Sequence, residues 1–342
     1  MRSVVIRSSV GEAIGAEQIY EIAATVYLPD AKRFPRPSRV LFAFPGGGYS
    51  RAYYDIWLSG YDDYSQAAHH VDNGVIVVAC DHLGVGESSG EGAVPFGLEM
   101  IAAANAAAVT DILHRLETGC LVSDYPAQPD LAVFGIGHSM GGAILALMQW
   151  RYASFEGIIL LGISAIENVL PQPTPELTKA ARAYYAALAA NSMGIATPLP
   201  KAPRIDYFYS FHWPDVPEPL ITVEQAGSLT VRGVRPEWAS VKIPRCGVEA
   251  MARGRITMAV ANIEVPVFLG FGERDTSMLP QAEPGHYVRC RDISLRIYPE
   301  MSHTHNFAGT RFRLWDDIVH WMERFSLVER AERDVLCPEE IA

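Results

Sequence analysis

The part of the 342-residue chain best equipped for chemistry is Gly137-His138-Ser139-Met140-Gly141-Gly142. It matches G-x-S-x-G, with an apolar run (Leu131–Ile136) before it and an Ala/Gly-rich helical pattern after it, the context in which that motif carries meaning. Glycines at 137 and 141 remove side chains that a sharp strand-to-helix turn would exclude, so Ser139 is expected at the apex. A serine hydroxyl is a poor nucleophile near neutral pH. It needs an imidazole to accept its proton and a carboxylate to fix the imidazole tautomer. Attack on an acyl carbon also creates an oxyanion, which needs preorganised donors. Candidates for each part lie at the ends of other apolar runs. Gly272-Glu273-Arg274-Asp275 offers carboxylates, Pro299-Glu300-Met301-Ser302-His303-Thr304-His305 offers two imidazoles, and Phe44-Pro45-Gly46-Gly47-Gly48-Tyr49 offers backbone N–H groups.

The elements that must position these groups are legible as apolar runs. Arg39–Phe44, Gly74–Cys80, Leu131–Ile136, Gly157–Gly162 and Val265–Phe271 read as strands buried on both faces, and Ile293–Tyr298 as a less apolar sixth. Glu99–Glu117, Met140–Tyr152 and Thr310–Phe325 carry helical patterns between them. Alternating strands and helices predict an α/β chain with a mostly parallel sheet sandwiched by helices. Val4–Ser8 and Tyr20–Tyr27 fit antiparallel strands at its edge. Residues 165–255 break this rhythm, holding 11 of the 23 prolines, the run Tyr207-Phe208-Tyr209-Ser210-Phe211-His212-Trp213 and one helical stretch near Glu176–Ala190. A structureless connection of that length is uncommon in a compact domain. The expected organisation is one core, residues 1–164 and 256–342, interrupted by a small, mainly helical insertion at 165–255.

With G-H-S-M-G-G in this setting the sequence resembles the α/β-hydrolase superfamily, in particular its serine esterase and lipase-like members with a cap insertion. The resemblance implies an eight-stranded type of sheet and a triad in the order Ser139, acid, His. Asp275 looks like the family's acid after a late strand, with Glu273 and Glu167 as weaker choices. His303 lies four residues after Pro299, a family spacing, and is the implied base; His305 is the alternative. The N–H of Met140 and those of Gly47 and Gly48, in a loop similar to the HGGG type with Pro45 in place of its His, are the implied oxyanion donors. Tyr49 or Tyr53 could add a hydroxyl. Asp81-His82-Leu83-Gly84-Val85-Gly86-Glu87-Ser88 resembles the family's structural D-x-R-G-x-G-x-S turn, and its glycines lack the setting of a dinucleotide site. Tyr49, Tyr207, Phe208, Phe211 and Trp213 are the expected contacts for an apolar acyl or alcohol group. His138 is expected to pack at the elbow, and His69, His70, His114 and His320 lie on helical patterns.

The implied activity is hydrolysis of the carboxylic ester of a small to medium, largely apolar molecule through an acyl-enzyme. Acyl transfer, lactone opening, carbon–carbon hydrolysis and a non-catalytic binding role remain alternatives. No cofactor is expected. A metal is not expected either, since H-E-x-x-H is missing and His303-Thr304-His305 has no Cys or carboxylate cluster beside it. A net charge of −11 without a basic run argues against nucleic acid as a partner. The longest apolar stretch, Gly157–Ile166, is about half of what a bilayer span needs. Five scattered cysteines without a CxxC pair, and a start unlike a signal peptide, place the chain in a cytoplasm. The oligomeric state is not encoded legibly.

Overall fold

β-Branched runs become strands because their side chains pack on a pleated surface and their backbones pair with neighbours on either side. The computed structural model describes residues 1–34, 37–90, 96–225, 236–240 and 243–336. Among them eight strands form one sheet: β1 (Arg2–Ser9), β2 (Glu21–Leu28), β3 (Arg39–Phe44), β4 (Val75–Cys80), β5 (Ala132–His138), β6 (Gly157–Leu161), β7 (Val267–Arg274) and β8 (Ile293–Ser302). Their order is β1-β2-β4-β3-β5-β6-β7-β8. β1 and β2 join antiparallel, β2 meets β4 antiparallel, and every later pairing is parallel.

Alternate residues of β3 separate the two faces of the core. Val40, Phe42 and Phe44 pack with Ile101, Ile112, Ile144 and Val260, whereas Leu41 and Ala43 pack with Val71, Trp315, Ile318 and Trp321. The first set comes from α2 (Leu98–Thr118), α3 (Met140–Tyr152) and α8 (Thr257–Ala261). The second comes from α1 (Gln66–Asp72) and α9 (Arg311–Leu336). α3 is apolar all round because Met140–Gln149 are all buried.

Between β6 and β7 lie α4 (Pro175–Ser192), α5 (Tyr207–Phe211), α6 (Glu218–Gln225), α7 (Arg245–Glu249) and then α8. α4 starts where Thr174 caps it, its side chain accepting from Leu177 N–H, with Pro175 in the first turn. The insertion expected at 165–255 thus contains four helices among its described residues. Its positions 226–235, 241 and 242 lie outside them, as do 35–36, 91–95 and 337–342 of the expected core. Among the described residues no helix is long and apolar enough to cross a membrane.

Candidate active site

The site forms where β3, β5, β7 and β8 end, the edge at which open parallel sheets bind ligands. Ser139 sits between β5 and α3 with φ 52° and ψ −119°, a conformation that costs on the order of 1–3 kcal/mol for a residue with a side chain. Neighbours enforce it. Ser139 N–H donates to Leu161 O at 2.8 Å, and Ser139 O accepts from Gly142 N–H at 2.9 Å. The turn passes so close to β3 that a Cβ on Gly141 would lie 2.1 Å from Phe44 O. This is the physical reason for the glycine at that position.

Asp275 and His303 converge on this apex. Ser139 Oγ lies 2.9 Å from His303 Nε2, and His303 Nδ1 lies 2.7 Å from Asp275 Oδ1. Gly272 N–H and Thr276 N–H donate to the same carboxylate at 2.9 and 2.7 Å. Burial alone would raise the Asp275 pKa, but the His303 and His305 imidazoles beside it and their hydrogen bonds hold it far below the usual carboxylate range. His303 is itself fastened from α5: Ser210 O accepts from its N–H at 3.3 Å, and the Phe211 ring stacks on its imidazole at 5.5 Å.

His305 does not reach Ser139. Its Nε2 lies 2.7 Å from Asp275 Oδ2, on the far side of the carboxylate from His303. Glu273 accepts from Glu300 N–H at 3.1 Å, and Glu167 accepts from Arg182 Nε at 2.8 Å. His138 is buried, its Nε2–H donating to His303 O at 2.7 Å and its ring stacked on Tyr53. Burial and then the neighbouring imidazoles keep its pKa well below the ordinary histidine value, so it stays neutral.

The glycine loop after β3 is held by its carbonyls. Tyr54 donates to Phe44 O at 2.9 Å and Tyr49 N–H to Gly46 O at 3.2 Å. His82 Nε2–H donates to Pro45 O at 2.9 Å, while its Nδ1 accepts from Asn105 at 3.0 Å. Gly46 approaches Ser139, for a Cβ there would lie 3.3 Å from Ser139 Cβ. Gly46 and Gly47 line the cavity with Met140, whereas Gly48 lies outside its lining and its carbonyl accepts from Ser240 N–H at 2.9 Å. The Asp81–Ser88 turn supports the loop's exit: Asp81 accepts from Arg51 N–H at 2.7 Å and Glu87 N–H at 3.0 Å, and Gly86 (φ 55°) folds against its carboxylate.

Above Ser139 lies a cavity of about 310 Å³. Of the expected contacts, Tyr49, Tyr207 and Phe211 line it. Phe208 and Trp213 do not: the Phe208 ring packs near His212, and Trp213 sits under the Arg274 guanidinium. Sequence reasoning missed Leu170, Tyr184, Tyr185, Leu188, Ile243 and Met251, which complete an apolar wall. It also missed a buried polar tie. Glu224 of α6 accepts from the Tyr49 hydroxyl and lies 2.5 Å from His212 Nε2, joining the segment above the cavity to the glycine loop. Among the described residues no cluster of His, Cys, Asp and Glu could hold a metal ion.

Comparison with known proteins places this geometry. The family model described as "Serine aminopeptidase, S33" matches residues 58–218. The monoglyceride lipase of Rattus norvegicus is 36% identical over 109 residues, 32% of this chain and 31% of that protein, so the chain spans about a third of that relative's length in the match. The monoacylglycerol lipase of Mycolicibacterium smegmatis is 23% identical over 300 residues, 82% of this chain and 95% of that protein. Among solved structures, a soluble variant of monoglyceride lipase from Saccharomyces cerevisiae superposes with a TM-score of 0.61 at 15% identity, covering 89% of this chain and 92% of that one. With its eight-stranded, mostly parallel sheet and its serine elbow, the chain has the α/β-hydrolase fold, the fold of the solved structure it superposes on.

Proposed function

We propose that the protein is a serine hydrolase that cleaves the carboxylic ester of a small to medium, largely apolar substrate through an acyl-enzyme. The observation that carries this reading is the unbroken relay from Ser139 Oγ to His303 (2.9 Å) to Asp275 (2.7 Å), opening into an apolar cavity. Ser139 is the nucleophile. His303 takes its proton through Nε2 and returns it to the leaving alcohol, and Asp275 fixes the Nδ1–H tautomer and stabilises the imidazolium. The N–H of Met140, at the start of α3, and that of Gly47 are the oxyanion donors, with Gly48 shaping the loop around them. Water then follows the same route to release the acid.

The segment 165–255 is the cap of this reading. It supplies Leu170 from the stretch before α4, and Tyr184, Tyr185 and Leu188 from α4, to the cavity, surfaces suited to an acyl chain rather than to a charged group. The mammalian and bacterial relatives are named for monoacylglycerols, and a monoacylglycerol is therefore the first substrate to try. A cytoplasmic setting, expected from the cysteine pattern, belongs to the same reading. The test is a panel of monoacylglycerols and p-nitrophenyl esters with varied acyl length, assayed with wild type and Ser139→Ala. Turnover of apolar acyl esters that is lost in the variant is the expected result. Equal turnover by both proteins would sink the assignment.

A further inference from the structure

A triad needs one imidazole on its carboxylate, yet Asp275 carries two. His303 Nδ1 lies 2.7 Å from Oδ1 and His305 Nε2 lies 2.7 Å from Oδ2. Thr276 N–H and Gly272 N–H add one donor to each oxygen. A carboxylate accepts about four hydrogen bonds, so these four fill Asp275 and fix the plane of its two oxygens. Both imidazoles stand on one tight turn, with His305 N–H donating to His303 O at 3.1 Å.

His305 acts here as a neutral donor. It is 1% exposed, and its Nδ1 has no hydrogen-bond partner among the described residues. A proton at Nδ1 would be a buried, unsatisfied N–H, so the proton belongs on Nε2, toward Asp275. The titratable groups around it are Asp275, the His303 ring at 6.4 Å and the His138 ring at 5.3 Å. One carboxylate in a dry pocket balances one imidazolium, and the reaction places that charge on His303.

We propose that His305 is a positioning residue for the reaction: its Nε2–H holds the Asp275 carboxylate square to His303 and draws charge from it, which sets the basicity of His303. The proposal rests on the triad reading above. Two effects of removing this donor follow. The carboxylate loses one of the two bonds to Oδ2 and is held less squarely for His303 while staying paired with it through Oδ1, which slows proton transfer. It also becomes a stronger partner for the His303 imidazolium, so His303 gives up its proton only at higher pH.

The test compares His305→Gln, whose amide nitrogen reaches the place of Nε2, with His305→Asn, whose shorter amide does not, and with His305→Ala. Active sites are counted with an alkyl fluorophosphonate, so that loss of folded protein is separated from loss of rate. Per labelled site, His305→Ala and His305→Asn are expected to lose about 10- to 100-fold in kcat with KM changed less than about threefold. The acidic limb of their kcat/KM profile should move up by about half a pH unit or more. His305→Gln should recover most of both. Unchanged kcat and limb per site in all three variants would overturn the proposal, as would Gln and Asn behaving alike. Failure of the triad reading itself is seen separately, as wild-type ester hydrolysis that survives Ser139→Ala, and it would remove the proposal's basis.

Discussion

The two sides of the cavity are built on different principles. On the sheet side, Asp275, His303 and His305 are buried and bonded to one another, and Ser139 is pinned by backbone on both flanks. On the other side, between β6 and β7, every helix except α4 runs for eight residues or fewer, and Leu177, Ile195, Leu199 and Ile243 are exposed. A few contacts moor that side to the sheet: Phe211 on His303, the Arg274 guanidinium over the Tyr209 and Trp213 rings, and Glu224 with Tyr49 and His212. The difference separates rate from selectivity. Groups that meet charge must be held to fractions of an ångström, whereas a wall that meets an acyl chain needs only the right volume and polarity. Substitutions on the sheet side should therefore lower kcat or unfold the protein, and those on the other side should move KM and chain-length preference.

The sharpest break is Ser139→Ala. It should lower kcat by about 10⁴-fold or more while thermal unfolding stays close to wild type, as read by ester turnover and calorimetry. Gly141→Ala comes next and acts through the fold. Its methyl would lie 2.1 Å from Phe44 O, and backbone on both sides gives little room to relax. A loss of roughly 3 kcal/mol or more is expected in urea unfolding, and near-wild-type stability would mean that the elbow is looser than described.

Acid should weaken the sheet side through its buried histidines. Burial lowers the His70 pKa to about 3, and burial also lowers those of His82 and His138. Below about pH 6.5 the unfolded chain takes up protons that the folded one refuses, so stability falls as pH drops from there until the folded pKa is reached. His70 alone should account for about 2 kcal/mol between pH 7 and 5. Replacing it by Gln should flatten the slope of unfolding free energy against pH by close to one proton; an unchanged slope would show that His70 is protonated in the fold. The smallest effect expected is that of Leu188→Trp in the cavity wall. It should raise KM for longer acyl esters about 10-fold and leave kcat for an acetyl ester within about threefold. A matching fall in acetyl-ester kcat would blur the contrast between the two sides.

The elbow was legible because its turn tolerates few residues at 137 and 141. The strands were legible because residues buried on both faces must be apolar throughout, as Val75–Cys80 are. The aromatic run was half legible. Tyr207 and Phe211 face the cavity together but Phe208 does not, because Tyr207–Phe211 is a helical turn and residues four apart share a face; Trp213 lies beyond the helix's end, where the chain is extended at His212. Tyr184 and Leu188 on α4 repeat that spacing and could have been found the same way. The Tyr49–Glu224–His212 tie was not legible, since it joins positions 175 residues apart and no local pattern announces it. His305 was legible only as a second histidine. That it sits on Asp275 rather than on Ser139 depends on how the turn after β8 closes.

The most direct test of the central claim is the mapping of a covalent adduct. The full-length protein would be reacted with an alkyl fluorophosphonate and digested, and its peptides weighed with and without excess apolar acyl ester. The account predicts one adduct per chain, on the Ser139 peptide, suppressed by the ester and accompanied by loss of ester turnover. An adduct on another residue, or full ester turnover by the completely labelled protein, would contradict it.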